Sequence, residues 1–196
     1  MIGKSGTGAS CGGLVNYLLE EEKKAEILAV DGVCDYDKNQ AIEDFNTMRK
    51  QLPTLGKAVW HSSISFAEGD TMSNEEMKQI ANDFMQEMGL ENTQYMVVKH
   101  GDTKHQHLHI VANRVNYDGK AISDSHSKRK TVDRCEKIAK KYGLVDDKER
   151  TNKHKKAIKH TIVQGIEQGQ EIAGIMKEGK KLGYSDQYNQ ARNSKK

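Results

Sequence analysis

Four of the chain's 8 histidines fall within the run His100-Gly-Asp102-Thr-Lys-His105-Gln-His107-Leu-His109-Ile-Val. His107 and His109 are two residues apart. On a β-strand that spacing puts both imidazoles on one sheet face and turns Leu108, Ile110 and Ala112 to the other. His100 closes the preceding β-rich run, Gln94–His100. The polar link Gly101–Gln106 is short enough for a hairpin, which brings His100 beside the pair. Three converging imidazoles make a divalent-metal site with positions left open for a substrate. Asp102, in the link, is placed to orient one of these imidazoles from behind. His105 is a neighbour without an assigned role. A lone His-x-His fits a solvated strand face equally well; the density of this cluster favours the metal.

Tyr17 is the second candidate. Leu14, Val15, Leu18 and Leu19 form one stripe of a helix at about Gly12–Glu22, and Tyr17 lies off that stripe. A tyrosine in an amphipathic helix ordinarily packs. Outside the packed face, its phenol is a competent nucleophile towards a phosphodiester whose charge a metal neutralises. The third candidate is the stretch Ala58–Phe66. Ala58, Trp60, Ser62, Ile64 and Phe66 face one way, and Val59, His61, Ser63 and Ser65 the other. His61 and Ser63 thus sit on a polar strand face that can meet substrate. Gly3-Lys4-Ser5 is not a P-loop, because GxxxxGK[ST] needs more residues before Gly3 than the chain has.

The elements that must position these residues alternate along the chain. A short strand covers Met1–Thr7, then come the Tyr17 helix, a strand at Glu26–Val30 and an amphipathic helix at Asn39–Leu52. The alternating strand Ala58–Phe66 follows. Ser73 and Glu76 make a capping box for a helix that Gly89 ends. The hairpin of Gln94–His100 and His107–Asn116 comes next, and a basic helix, Ser127–Tyr142, closes the set. A hairpin after a helix excludes a purely parallel sheet. An α+β fold, with helices on one sheet face, fits best. Residues 1–145 are expected as the main domain. Residues 146–196 read as a basic, mainly helical extension, with one or two weak helices over Asn152–Lys196.

Composition narrows the class. The chain has 196 residues, 35% apolar and 30% charged, and a single proline. No apolar run is long enough to span a bilayer, and Met1–Ser10 has no secretory apolar core, so the expectation is a cytoplasmic protein without membrane insertion. Cys11, Cys34 and Cys135 are odd in number and widely spaced, giving neither a disulfide framework nor a CxxC zinc site. Net charge is +3, but residues 1–90 hold 8 Lys+Arg against 15 Asp+Glu, and residues 120–160 hold 14 against 6. That basic block fits a solvated lysine-rich helix or a polyanion surface; on the second reading Lys128, Arg129, Lys130 and the Lys153–Lys159 cluster are phosphate contacts.

Three blocks together resemble the tyrosine relaxases of mobilisable plasmids and integrative elements, within the HUH endonuclease superfamily, and most nearly the MOB-P mobilisation nucleases. Gly8-Ala-Ser-Cys-Gly-Gly-Leu-Val-Asn-Tyr17-Leu-Leu is similar to the nucleophile motif. Trp60-His-Ser-Ser-Ile-Ser-Phe66 is similar to the middle strand motif, and His100 to Val115 to the three-histidine motif. Cys11 stands where a bulkier residue is expected. The resemblance covers about residues 1–145. It implies an antiparallel sheet of about five strands, with helices on one face and a metal on the other. It also implies nicking of one DNA strand at an origin of transfer. Tyr17 would attack the scissile phosphate, keep the 5′ end as a phosphotyrosine and release a 3′-OH. His100, His107 and His109 would hold Mn2+ or Mg2+, with Zn2+, Co2+ or Ni2+ compatible with imidazole. Asp102 would assist, and no nucleotide cofactor is needed. The partners would be single-stranded or supercoiled origin DNA, relaxosome accessory proteins and a conjugative coupling protein. Two alternatives are a rolling-circle replication initiator of the same superfamily and a non-catalytic DNA-binding protein with a structural metal. A second tyrosine in the nucleophile helix is frequent in such initiators; Tyr17 is alone in its helix.

Overall fold

The computed structural model describes residues 1–67, 70–103, 105–145 and 147–169, together with 174 and 177. Backbone contacts divide the chain into two units, Met1–Asp146 and Asp147–Lys196, each described by itself. The first unit runs β1 (Ile2–Gly8), α1 (Cys11–Leu18), β2 (Glu26–Asp31), α2 (Lys38–Arg49), β3 (Val59–Ser65), α3 (Asn74–Met88), β4 (Tyr95–His100), β5 (His107–Asn113) and α4 (Ser127–Lys141). A 3-10 turn, Glu21–Lys23, follows α1. The second unit begins with α5 (Asp147–Glu167). A further weak helix expected in the tail falls largely outside the described residues.

The element order follows local signals. Ser10 caps α1 by accepting from the Gly13 N–H, and Asp37 caps α2 by accepting from Gln40 at 2.8 Å. Ser73 and Glu76 form the expected capping box of α3, and Gly89 ends that helix at φ 71°, a left-handed conformation that suits glycine. Each such cap contributes about 1 kcal/mol to its helix.

The five strands form one antiparallel sheet in the order β1-β3-β5-β4-β2. Register sets the site. His100 pairs with His107 across the hairpin, Ser63 with His109, and His61 with Val111. Strand alternation then puts His61, Ser63, His100, His107 and His109 on one face. The opposite face carries Trp60, Ile64, Val97, Leu108 and Ile110 against Ile80 and Phe84 of α3 and Cys135 and Ile138 of α4. Gly3 allows α4 to lie close on β1, since a Cβ there would come within 2.3 Å of the Cys135 Sγ. Ser5 completes that junction through hydrogen bonds to Ser62 and Thr131. The Gly-Lys-Ser triplet thus packs a helix.

The α+β class and the five antiparallel strands agree with the sequence reading. The placement of helices differs from it. α3 and α4 cover one face, while α1 and α2 cover part of the histidine face. The reason lies in the strands. Val59, Met96, Val98 and Val111 are apolar on the histidine side, and they bury Val15 and Leu18 of α1 and Phe45 of α2. The polar face holds only towards one end of the sheet, where the histidines lie.

Candidate active site

The three histidines converge from two adjacent strands. Their ligand nitrogens all lie within 4.8 Å of one another. Ring centroids of His100 and His109 are 4.4 Å apart, those of His107 and His109 5.2 Å. Each ring is held by its far nitrogen. His100 Nε2–H donates to the Leu18 carbonyl at 2.8 Å. His107 Nδ1–H donates to the His105 carbonyl at 3.1 Å. His109 Nδ1 and His61 Nε2 share a hydrogen bond of 2.9 Å, with the two rings stacked. By elimination, Nδ1 of His100 and Nε2 of His107 and His109 face one another. Such anchoring fixes tautomer and ring orientation, as metal-binding imidazoles require.

Burial favours the neutral form of His109, His100 and His61. It drives His109 down to about 3, helped by its neighbours His100, His61 and His107. Burial also lowers His100 and His61. A metal takes the neutral ring, so the donor set fits a divalent ion.

Asp102 sits in the hairpin link with Oδ1 3.6 Å from His107 Nε2. That nitrogen faces the cluster, so the carboxylate borders the metal position itself instead of bracing a ring from behind. Asp102 Oδ2 meets Lys23 Nζ at 3.3 Å. Partial burial pushes the carboxyl up, but Lys23 and His107 outweigh it and hold Asp102 below its ordinary value.

Tyr17 lies near the C-terminal end of α1, 45% exposed, while Cys11, Val15 and Leu18 on the packed side are buried. Its ring lies under Lys23 Nζ, 5.1 Å from the centroid. The bond from His100 to Leu18 anchors the residue after Tyr17 to the metal cluster. Helix α1 is therefore tied to the three-histidine cluster through the residue that follows Tyr17.

Ser63 is beside His109 in register and on its face, and His61 touches His109 directly. Lys128, Arg129 and Lys130 are exposed at the start of α4, which packs on the opposite face of the sheet. The structure does not bring them to the histidines. Three later cations of α4 pair with α3, Arg134 and Lys137 with Glu87 and Lys141 with Asp83. Two features escaped sequence reasoning. Lys23 and the Leu18 carbonyl are brought to the site by tertiary packing, and no spacing signals either. Asn113 and Arg114, within the third motif, are structural. Asn113 donates to the Phe45 carbonyl, and Arg114 spans the Lys57 and Ile122 carbonyls and Asp124.

An open antiparallel sheet with three imidazoles on one face, a carboxylate in the adjoining link and a tyrosine on a helix tied to them is the frame of a metal-assisted phosphoryl-transfer nuclease. The relaxase family model described as MobA/VirD2-like, nuclease domain, matches residues 17–144, beginning at Tyr17 itself. The chain belongs to that relaxase family. The family implies a nuclease acting on DNA and a divalent metal at the three histidines. No curated protein matches the chain. Among the described residues, no helix is long and apolar enough to cross a membrane.

Proposed function

We propose that this chain nicks one DNA strand at an origin of transfer and keeps the 5′ end on Tyr17, for mobilisation of a plasmid or integrative element in the cytoplasm. The observation that supports this best is the His100–Leu18 hydrogen bond, which ties the tyrosine helix to the metal cluster. In the proposed step the Tyr17 Oη–P bond forms as the P–O3′ bond breaks. The phenolic proton passes to Asp102 or to water, and the departing 3′ oxygen takes one up. The products are a phosphotyrosine and a 3′-OH, so the energy of the phosphodiester is retained and the reverse step reseals the strand. A divalent ion, manganese or magnesium by preference, bound by His100, His107 and His109 would supply charge to the phosphoryl oxygens.

The chain's own residues do the rest. Asp102, beside His107, or water takes the proton. His61 fixes His109, and Ser63 lines the approach of the strand. Residues 1–145 are the nuclease domain in this reading. Residues 146–196 are a basic extension, and Lys128, Arg129 and Lys130 grip phosphates away from the scissile bond. Relaxosome proteins and a coupling protein are the expected further partners.

The test is incubation of the full chain with manganese and supercoiled DNA carrying its origin, then denaturing electrophoresis. Wild-type protein should give a covalent adduct that mass spectrometry places on Tyr17. Tyr17→Phe, which removes only the hydroxyl, should retain metal and DNA binding and give no adduct. Attachment at Tyr36, Tyr95 or Tyr117, or nicking by the Phe variant, overturns the assignment.

A further inference from the structure

We propose that Lys23 is a positioning residue of the nicking reaction, one that aims the Tyr17 ring and holds Asp102 beside the metal position. The inference rests on the nuclease reading above and adds a residue to it. Lys23 ends the 3-10 turn that follows α1. Its carbonyl accepts from the Gly101 N–H at 3.1 Å, which fastens the turn to the hairpin link between His100 and Asp102. Lys24, next in the chain, adopts a left-handed conformation at φ 47°, and there the chain leaves the turn for β2. The Lys23 side chain is only 24% exposed, which is low for a lysine. It meets Asp102 Oδ2 at 3.3 Å and lies over the Tyr17 ring at 5.1 Å.

One ammonium thus touches both residues expected to handle the phenolic proton. The Tyr17 hydroxyl makes no hydrogen bond among the described residues, so the cation over its ring is the polar contact that orients it. The same ammonium occupies Oδ2 of Asp102 and leaves Oδ1 towards His107. When a scissile phosphate enters, its charge comes close to the Asp102 carboxylate, and the Lys23 cation offsets that repulsion. The backbone clasp at Gly101 needs no lysine side chain. Substitution at Lys23 therefore loosens Tyr17 and Asp102 without undoing the turn.

The experiment compares Lys23→Met, Lys23→Arg and Tyr17→Phe in the full chain with manganese. The probe is a single-stranded oligonucleotide recovered as wild-type adduct from a randomised pool. Lys23→Met should slow adduct formation at saturating DNA by about 10- to 100-fold, the scale of a misaimed nucleophile. The DNA concentration at half-saturation and the manganese affinity should stay within about twofold, because neither depends on aiming. Lys23→Arg, which keeps a cation able to stack on the ring, should recover most of the rate. A second readout uses the metal-free protein with ¹³C-labelled tyrosine. The resonance missing in Tyr17→Phe should shift in Lys23→Met and stay near its place in Lys23→Arg. Undiminished nicking by Lys23→Met, no recovery with Arg, or an unmoved Tyr17 resonance overturns the role of Lys23 and leaves the nuclease reading intact. Absence of any adduct from wild-type protein overturns the nuclease reading, and this inference with it.

Discussion

At the scale of single residues, the metal site depends on what lies behind each imidazole. His109 is 8% exposed and rests on His61, whose own ring is partly buried. His107→Ala removes one of three ligands and should weaken manganese binding at least 100-fold by calorimetry, while the apolar sheet face keeps the fold. An unchanged affinity would refute the ligand set. His61→Leu keeps the volume but leaves His109 Nδ1 without its partner. Loss of such a supporting bond typically costs 10- to 100-fold in metal affinity, and the same titration measures it. Asp102→Asn should spare metal binding more than either and slow adduct formation.

At the scale of elements, the hairpin and its neighbours are locked by the polar residues that follow the histidines. Asn113 is fully buried at the end of β5. It donates to the Phe45 carbonyl of α2 and to Gln94, and it accepts from the Val115 N–H. Asn113→Ala leaves the Val115 N–H without its partner and takes one bond from the Phe45 carbonyl, at a cost of about 1–3 kcal/mol. Urea unfolding should show a lower midpoint with an unchanged slope, and manganese affinity in the folded protein should remain. Gln106 acts similarly on the other side of His107. Its amide both donates to and accepts from the Met72 backbone, which clips the segment before α3 to the start of β5.

At the scale of the molecule, burying a histidine cluster makes the metal-free protein sensitive to acid. The folded value of His109 is about 3, well below the unfolded value of about 6.5. Between the two, the unfolded chain binds a proton that the folded chain does not, so stability rises with pH across that window and falls as pH drops below about 6.5. The slope reaches about 1.4 kcal/mol per pH unit for one such group. Lowered carboxylates such as Asp83 and Glu87 add their own loss only below about 4.5. With chelator present, the melting temperature should therefore fall from pH 6.5 to 5, and His109→Gln should flatten that fall. Saturating manganese should raise the melting temperature most at the upper end. The charge distribution gives a second whole-molecule test. Replacing Lys128, Arg129 and Lys130 with Ala should flatten the dependence of log DNA affinity on log salt by up to about one unit per lost phosphate contact. The nicking rate at saturating DNA should not change, because these residues sit on the face away from the histidines. An unaltered salt slope would mean that the start of α4 does not touch DNA.

Much of the site was legible in the residue order. A strand period of two is enough to put His107 and His109 on one face, and a short polar link is enough to return His100 beside them. Helical spacing likewise sets Tyr17 off the stripe that buries Val15 and Leu18. Capping signals mark the start and end of α3 for the same reason, that they are local. Local spacing does not say what lies above a sheet face. Val59, Met96, Val98 and Val111 come from β3, β4 and β5, and only the pairing of those strands makes the apolar patch that draws α1 and α2 onto the histidine side. The same limit applies to Lys23. In the chain it is one more charge after a run of glutamates. In the fold its ammonium lies against Tyr17 and Asp102, because the turn after α1 is pinned to the hairpin at Gly101. Sequence determined which imidazoles share a sheet face and that Tyr17 lies off the packed stripe of its helix, since strand and helix periods are properties of neighbours along the chain. Tertiary structure decided how they are aimed, since contacts between residues far apart in sequence exist only once the sheet has set its register.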